Sequence, residues 1–188
     1  MRVNLPARVG RIGMVARWKP VHLGHAAVLD ALVARGELAL IGVGSSNRYD
    51  AENPFTPDET EAMIRRVLAG RENYRLLRIP DLDDGPGWRA MVADLLGPLD
   101  LFVTANPYVR DLLGVVYAVA HPVQLLATER HVAVSGTMVR RAMAQGDAWR
   151  PLVPPAVAAY IEEHGLDERF RREFGAATLA PGPRPPVD

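Results

Sequence analysis

The densest chemistry in the chain lies in one loop, Arg17-Trp18-Lys19-Pro20-Val21-His22-Leu23-Gly24-His25. Arg17 and Lys19 bring two cations, and His22 and His25 bring two imidazoles, to a segment that enters a helix. A helix N-terminus presents unpaired N–H groups and partial positive charge, so these side chains would complete a cradle for a polyphosphate. Gly24 lets a ligand or a backbone approach closely. His22 and His25, three apart, can share one side of the first helical turn.

Two other readings fit the same residues. His-x-x-His supplies two metal ligands, but the chain has no cysteine, no His-Glu-x-x-His and no obvious third ligand nearby. Paired histidines also occur as ordinary structural residues, and taken alone they favour that explanation. The crowding of Arg17 and Lys19 around them favours the anion cradle. Lys19 is also the single lysine among 22 basic residues. A GC-rich genome explains the arginine bias, yet the exception falls in this loop.

The elements that must position this loop alternate strand and helix. Arg11–Ala16 reads as a short apolar strand, and Leu23–Arg35 carries apolar residues at helical spacing up to Gly36. Leu38–Val43 is a nearly continuous apolar run, as in a parallel strand covered on both faces. Thr56-Pro57-Asp58-Glu59 spells a capping box with proline in the first turn and opens a helix to about Ala69. Tyr74–Ile79 is a third strand, Pro80–Gly87 a loop and Trp88–Leu96 a helix. Leu101–Thr104 is a fourth strand, a helix starts near Pro107, and Val123–Ala127 is a short fifth strand. Ser135 begins a helix to about Gln145, and Pro154-Pro155 begins another that ends near His164-Gly165. The repetition predicts a Rossmann-like, doubly wound α/β fold with a parallel sheet of about five strands and a C-terminal helical segment. In such sheets the ligand crevice lies beyond the carboxyl ends of the strands, which points to the first loop.

Composition narrows the function. At 188 residues the chain is the size of one domain, and 22 basic residues balance 22 acidic ones. That balance gives no electrostatic case for binding a nucleic acid polymer, though it permits a local basic pocket. The absence of cysteine removes disulfides, cysteine-ligated metals and a cysteine nucleophile. No apolar run approaches the roughly 18–20 residues of a membrane span, and the N-terminus lacks a secretory pattern. A cytoplasmic protein without membrane association is the expectation. The proline-rich tail, 180–188, reads as disordered.

His22-Leu23-Gly24-His25 after a first strand resembles the H-x-G-H signature of the nucleotidyltransferase superfamily. Ser135-Gly136-Thr137-Met138-Val139-Arg140 resembles its second signature, a hydroxyl-rich turn entering a helix with an arginine one turn later. The finer likeness is to archaeal-type nicotinamide-nucleotide adenylyltransferases. It is carried by Ile41–Ser45, Glu52-Asn53-Pro54-Phe55-Thr56, Ile79-Pro80-Asp81, Trp88, Asn106-Pro107 and Leu152–Val157. The resemblance covers roughly 11–165, leaving 1–10 as an extension and 166–188 as a helical end and tail.

The resemblance implies transfer of AMP from ATP to nicotinamide mononucleotide. It places Arg17, Lys19, His22, Gly24 and His25 on the ATP phosphates, with Ser135, Gly136, Thr137 and Arg140 gripping them from a second helix. Asn106 would lie near the adenosine, while Trp88, Asp81 and Arg48 would face the acceptor. His22, His25, Arg17 and Arg140 would be the catalytic set. Trp88 also reads as a core aromatic, Ser135 as a plain helix cap and Asn106 as a loop residue before proline. Mg2+ would arrive on the triphosphate, held by phosphates more than by protein. Self-association is a further implication.

The chain departs from the family at three places. Ala16-Arg17-Trp18-Lys19-Pro20 stands where Gly-Arg-Phe-Gln-Pro is usual, Ser45–Ala51 is about one residue short and lacks a Ser-His pair, and Gly85 stands where an asparagine is usual. These departures leave open nicotinic acid mononucleotide, phosphopantetheine, a flavin mononucleotide or a polyol phosphate as acceptor, CTP as donor, and a silent nucleotide-binding regulator.

Overall fold

A computed structural model describes residues 5–126, 132–146 and 148–180. The strands are β1 (Val9–Ala16), β2 (Gly36–Gly44), β3 (Tyr74–Ile79), β4 (Leu101–Val103) and β5 (Val119–Ala120). The helices are α1 (Leu23–Arg35), α2 (Pro57–Val67), α3 (Gly85–Leu96), α4 (Pro107–Leu113), α5 (Gly136–Gln145), α6 (Pro155–Glu163) and α7 (Leu166–Leu179). The sheet order is β3-β2-β1-β4-β5, and every pair is parallel. The chain therefore winds outward from β1 in one direction and, after β3, crosses back to place β4 on its other side. The junction of β1 and β4 is a topological switch point, where diverging loops leave a crevice.

Both faces of the sheet are covered, which explains the unbroken apolar run of β2. Successive residues point to opposite faces. Ile41 and Val43 join a core built with α1, α2, α5, α6 and α7. Leu40 joins a second core with Val92 and Leu96 of α3 and Leu113 of α4. Burying side chains of this kind is worth roughly 1.5–3 kcal/mol each, so the two-sided core is the main source of stability. The helix α1 matches its expected range, and α2 opens on the Thr56–Glu59 capping box.

Several elements differ from expectation, among them β2, which runs Gly36–Gly44 and not Leu38–Val43. The fifth strand is Val119–Ala120 and not Val123–Ala127. Pro122–Gln124 instead forms a 3-10 turn, because Pro122 has no N–H to give a ladder, the His121 ring accepts the Val123 N–H and the Gln124 side chain accepts the His121 N–H. Residue 127 of the expected strand lies outside the described residues, as does the tail from 181 onward. Helix α3 starts at Gly85, three residues before Trp88, because the Asp84 carboxylate caps the Gly87 N–H and Pro86 suits a first turn. Strand β1 begins at Val9, so the last two residues of the expected N-terminal extension belong to the sheet.

Candidate active site

The loop from β1 to α1 sends its side chains in opposite directions. Trp18 adopts left-handed backbone (φ 57°), is fully buried and donates its indole N–H to the Gly42 carbonyl at 2.9 Å. Lys19 is also buried, and its ammonium donates to the Ser45 carbonyl at 2.8 Å. Burial lowers its pKa to about 8, opposed by Asp50 and Asp81 and reinforced by Arg17. Lys19 thus supports the wall of the site from beneath. Arg17 points outward and pairs with Glu52 at 2.6 Å.

His22 is the N-cap of α1. Its Nδ1 accepts the His25 backbone N–H at 3.2 Å, which leaves Nε2–H as a donor for a ligand. The ring is buried, and burial together with Arg140 lowers its pKa to about 4. His25 stacks on His22 with centroids 3.6 Å apart and meets the edge of Trp18 at 4.9 Å. Burial and then His22 hold its pKa well below the ordinary histidine value, against a smaller opposing effect of the Pro20 backbone. Both imidazoles are therefore neutral near pH 7. Gly24 lies where a Cβ would stand 3.2 Å from the His22 ring and 3.3 Å from the Val134 carbonyl. Only glycine lets the segment before α5 close against this turn without displacement.

The second signature reaches the first by that approach. Ser135 caps α5, its Oγ accepting the Met138 N–H at 3.3 Å. Arg140 donates to the Lys19 carbonyl at 3.0 Å and to Thr137 Oγ1 at 3.4 Å. Burial and then Arg17 lower the Arg140 pKa. Stretches 121 residues apart thus place Arg140, both imidazoles and two helix N-termini together.

A cleft of about 790 Å³ opens at the switch point. Arg17, His22, Gly24 and His25 line one part of it, and Asp81, Trp88 and Asn106 line another. Asn106 caps α4, with Oδ1 accepting the Tyr108 N–H at 2.9 Å. Lys19, Arg48, Ser135, Gly136, Thr137 and Arg140 stand outside the walls. Arg48 is held 3.6 Å from both Asp81 and Asp83. Sequence reasoning assigned no role to Glu52, which fixes Arg17, or to Thr104, whose buried Oγ1 accepts the Asn106 N–H at 3.1 Å. Position at the carboxyl end of β4 was the available signal for Thr104; nothing local marks the Arg17–Glu52 pairing, which spans 35 residues. Among the described residues no three His, Asp or Glu side chains cluster to hold a metal ion. The donor set is cationic and N–H-rich, which suits phosphate oxygens rather than a bare cation.

A parallel sheet with a switch-point cleft, two helix N-termini and neutral imidazole donors defines a nucleotide-binding α/β protein of the nucleotidyltransferase type. Residues 15–142 match the cytidylyltransferase-like family, and the chain belongs to it. It is 32% identical to a nicotinamide-nucleotide adenylyltransferase of Methanosphaerula palustris, over 89% of this chain and 99% of that protein. It is 33% identical to a protein of the same name from Picrophilus torridus, over 86% and 95%. A bifunctional NMN adenylyltransferase/ADP ribose pyrophosphatase from Francisella tularensis, crystallised with AMP and a manganese ion, shares the fold at TM-score 0.69 and 13% identity. That match covers 87% of this chain, which spans about half (52%) of the Francisella protein.

Proposed function

We propose that the protein transfers the adenylyl group of ATP to nicotinamide mononucleotide, forming NAD and pyrophosphate. The observation that carries this reading is the shared cleft, in which Arg17, His22 and His25 line the same crevice as Trp88. The triphosphate lies over the start of α1, with the outer phosphates toward Arg140 and the Ser135–Thr137 turn and the adenosine toward Asn106. The acceptor's pyridine ring stacks on Trp88 beside Asp81.

An oxygen of the acceptor's 5′-phosphate bonds to the α-phosphorus of ATP. The bond from that phosphorus to the bridging oxygen breaks, and its electron pair leaves with pyrophosphate. The attacking phosphate is largely dianionic at neutral pH, since its second pKa is near 6, so no residue has to remove a proton. What the chain supplies is alignment of two anions and donors aimed at the charge on the departing pyrophosphate. The His22 Nε2–H, the α1 and α5 N-termini, Arg17 and Arg140 are those donors. Mg2+ bound by the triphosphate oxygens would neutralise part of its charge.

The test is to incubate the protein with Mg2+ and ATP or CTP against nicotinamide mononucleotide, nicotinic acid mononucleotide, phosphopantetheine and flavin mononucleotide, with products read by mass. NAD and pyrophosphate from ATP and nicotinamide mononucleotide are the expected products. A different conjugate alone, or product from CTP alone, would replace this reading. Saturable ATP binding with no product would make the chain a silent nucleotide binder.

A further inference from the structure

Tyr108 is the second residue of α4, and its neighbours Asn106 and Val109 both line the cleft. Its own side chain is outside the cleft lining and is exposed, at 62% for the residue. An aromatic ring with a polar tip, left open beside a binding cleft, is suited to a ligand that is apolar on one side and polar on the other. The hydroxyl crosses to α3, where a Cβ built on Gly85 would lie 2.6 Å from it. Gly85 is therefore the residue whose missing side chain admits the phenol. Gly85 opens α3, and Trp88 stands three residues on, on the same helical face and in the cleft wall. The hydroxyl is thus held one turn ahead of the aromatic platform.

We propose that Tyr108 is an acceptor-specificity residue, its hydroxyl hydrogen-bonding the polar ring substituent of a nucleotide stacked on Trp88. The proposal rests on the reading of the cleft given above. The surrounding turn offers little competition for this task. Pro86 has no N–H, and the Gly87 N–H is taken by Asp84 at 3.0 Å. Asp81, Asp83 and Asp84 precede α3, with Arg48 3.6 Å from the first two. Ionised carboxylates only accept hydrogen bonds and repel an anion, whereas a phenol both donates and accepts. The phenol oxygen accepts from the carboxamide NH2, a donor that a carboxylate lacks, and the neighbouring carboxylates disfavour a second anion, so the pairing selects a neutral carboxamide over a carboxylate.

Tyr108→Phe removes one oxygen and keeps the ring. The expected result is a rise of about tenfold in KM for nicotinamide mononucleotide, a similar fall in the amide-to-acid ratio of kcat/KM, and an ATP KM within about twofold of wild type. Gly85→Ala, which pushes the hydroxyl away from the opposite side, should move the same two quantities in the same direction. A phenol that only packs against α3 would leave both unchanged in Tyr108→Phe, and that result overturns the proposal. A wild-type protein that forms NAD with an insensitive Tyr108→Phe removes the tyrosine's role alone. A wild type that forms no NAD removes the reading of the cleft and this proposal with it.

Discussion

The Nδ1 of His22 is spent on capping the His25 N–H, and burial with Arg140 nearby keeps the ring neutral, with a pKa of about 4. One tautomer is thereby selected, with its proton on Nε2. The same shift makes folding sensitive to acid. Between pH 4 and 6.5 the unfolded chain binds a proton that folded His22 refuses, so stability falls as pH drops through that window. The loss attributable to His22 is ~3 kcal/mol. His22→Asn keeps an N-cap acceptor and removes the titration. Urea unfolding of that variant should show a shallower acid limb, while adenylyl transfer at pH 7.5 falls at least about a hundredfold for want of the Nε2–H donor. An unchanged acid limb would mean that His22 is not the titrating group. Lys19 carries the opposite lesson about visibility. Its type and its place in the loop were plain from the sequence, but its direction was not, because a loop has no periodicity to say which side chains turn inward. The ammonium lies buried on the Ser45 carbonyl, with a pKa of about 8 against 10.5 when free. In that window the unfolded state again binds more protons, so the wild type should gain stability between pH 8 and 10.5. Lys19→Met should lose that gain, as followed by thermal midpoints across the range.

Helices α1 and α2 were readable because their signals are local: apolar residues at helical spacing ending at Gly36, and a capping box followed by proline. Helix α3 was masked by two glycines in its first turn, where Asp84 does the capping. Strand β5 was displaced because two residues carry too little pattern to outweigh the neighbouring apolar run. Long-range fastening between elements was not legible at all. Arg169 of α7 reaches Glu59 of the α2 capping box at 2.5 and 2.7 Å and the Pro54 carbonyl at 3.1 Å. Burial opposes ionisation of Glu59, yet the Arg169 and Thr56 hydrogen bonds outweigh it and hold its pKa below the ordinary value. The same helix sends Glu173 to accept the Tyr49 hydroxyl at 2.6 Å. The C-terminal helix thus braces the segment between β2 and α2, which also bears Glu52. Arg169→Ala leaves a half-buried carboxylate short of its cation. It should cost about 2 kcal/mol in urea unfolding, with kcat at 25 °C within about threefold of wild type. A large fall in kcat with little loss of stability would instead make α7 a positioning element for the cleft.

Across the whole molecule, charge is placed rather than accumulated. A chain with equal numbers of acidic and basic residues assembles Arg17, Arg140 and two helix N-termini at the β1–β4 junction and leaves an aromatic platform beside them. The parallel topology makes this arrangement, because every strand delivers its loop to the same edge of the sheet. The cleft then has a cationic part and an aromatic part, and the proposed division of triphosphate to the first and acceptor to the second has a thermodynamic signature. A ligand at a hundred times its Kd stabilises the folded state by about 2.7 kcal/mol, which for a chain of this size raises Tm by roughly 5–10 °C. ATP should do so in the wild type and in Trp88→Ala but not in Arg140→Ala at the same concentration. Nicotinamide mononucleotide should do so in the wild type and in Arg140→Ala but not in Trp88→Ala. Differential scanning fluorimetry on the three proteins gives the full cross-pattern. If Trp88→Ala also abolished the shift with ATP, the two ends of the crevice would not be separate sites, and the tryptophan would belong to the framework on which both depend.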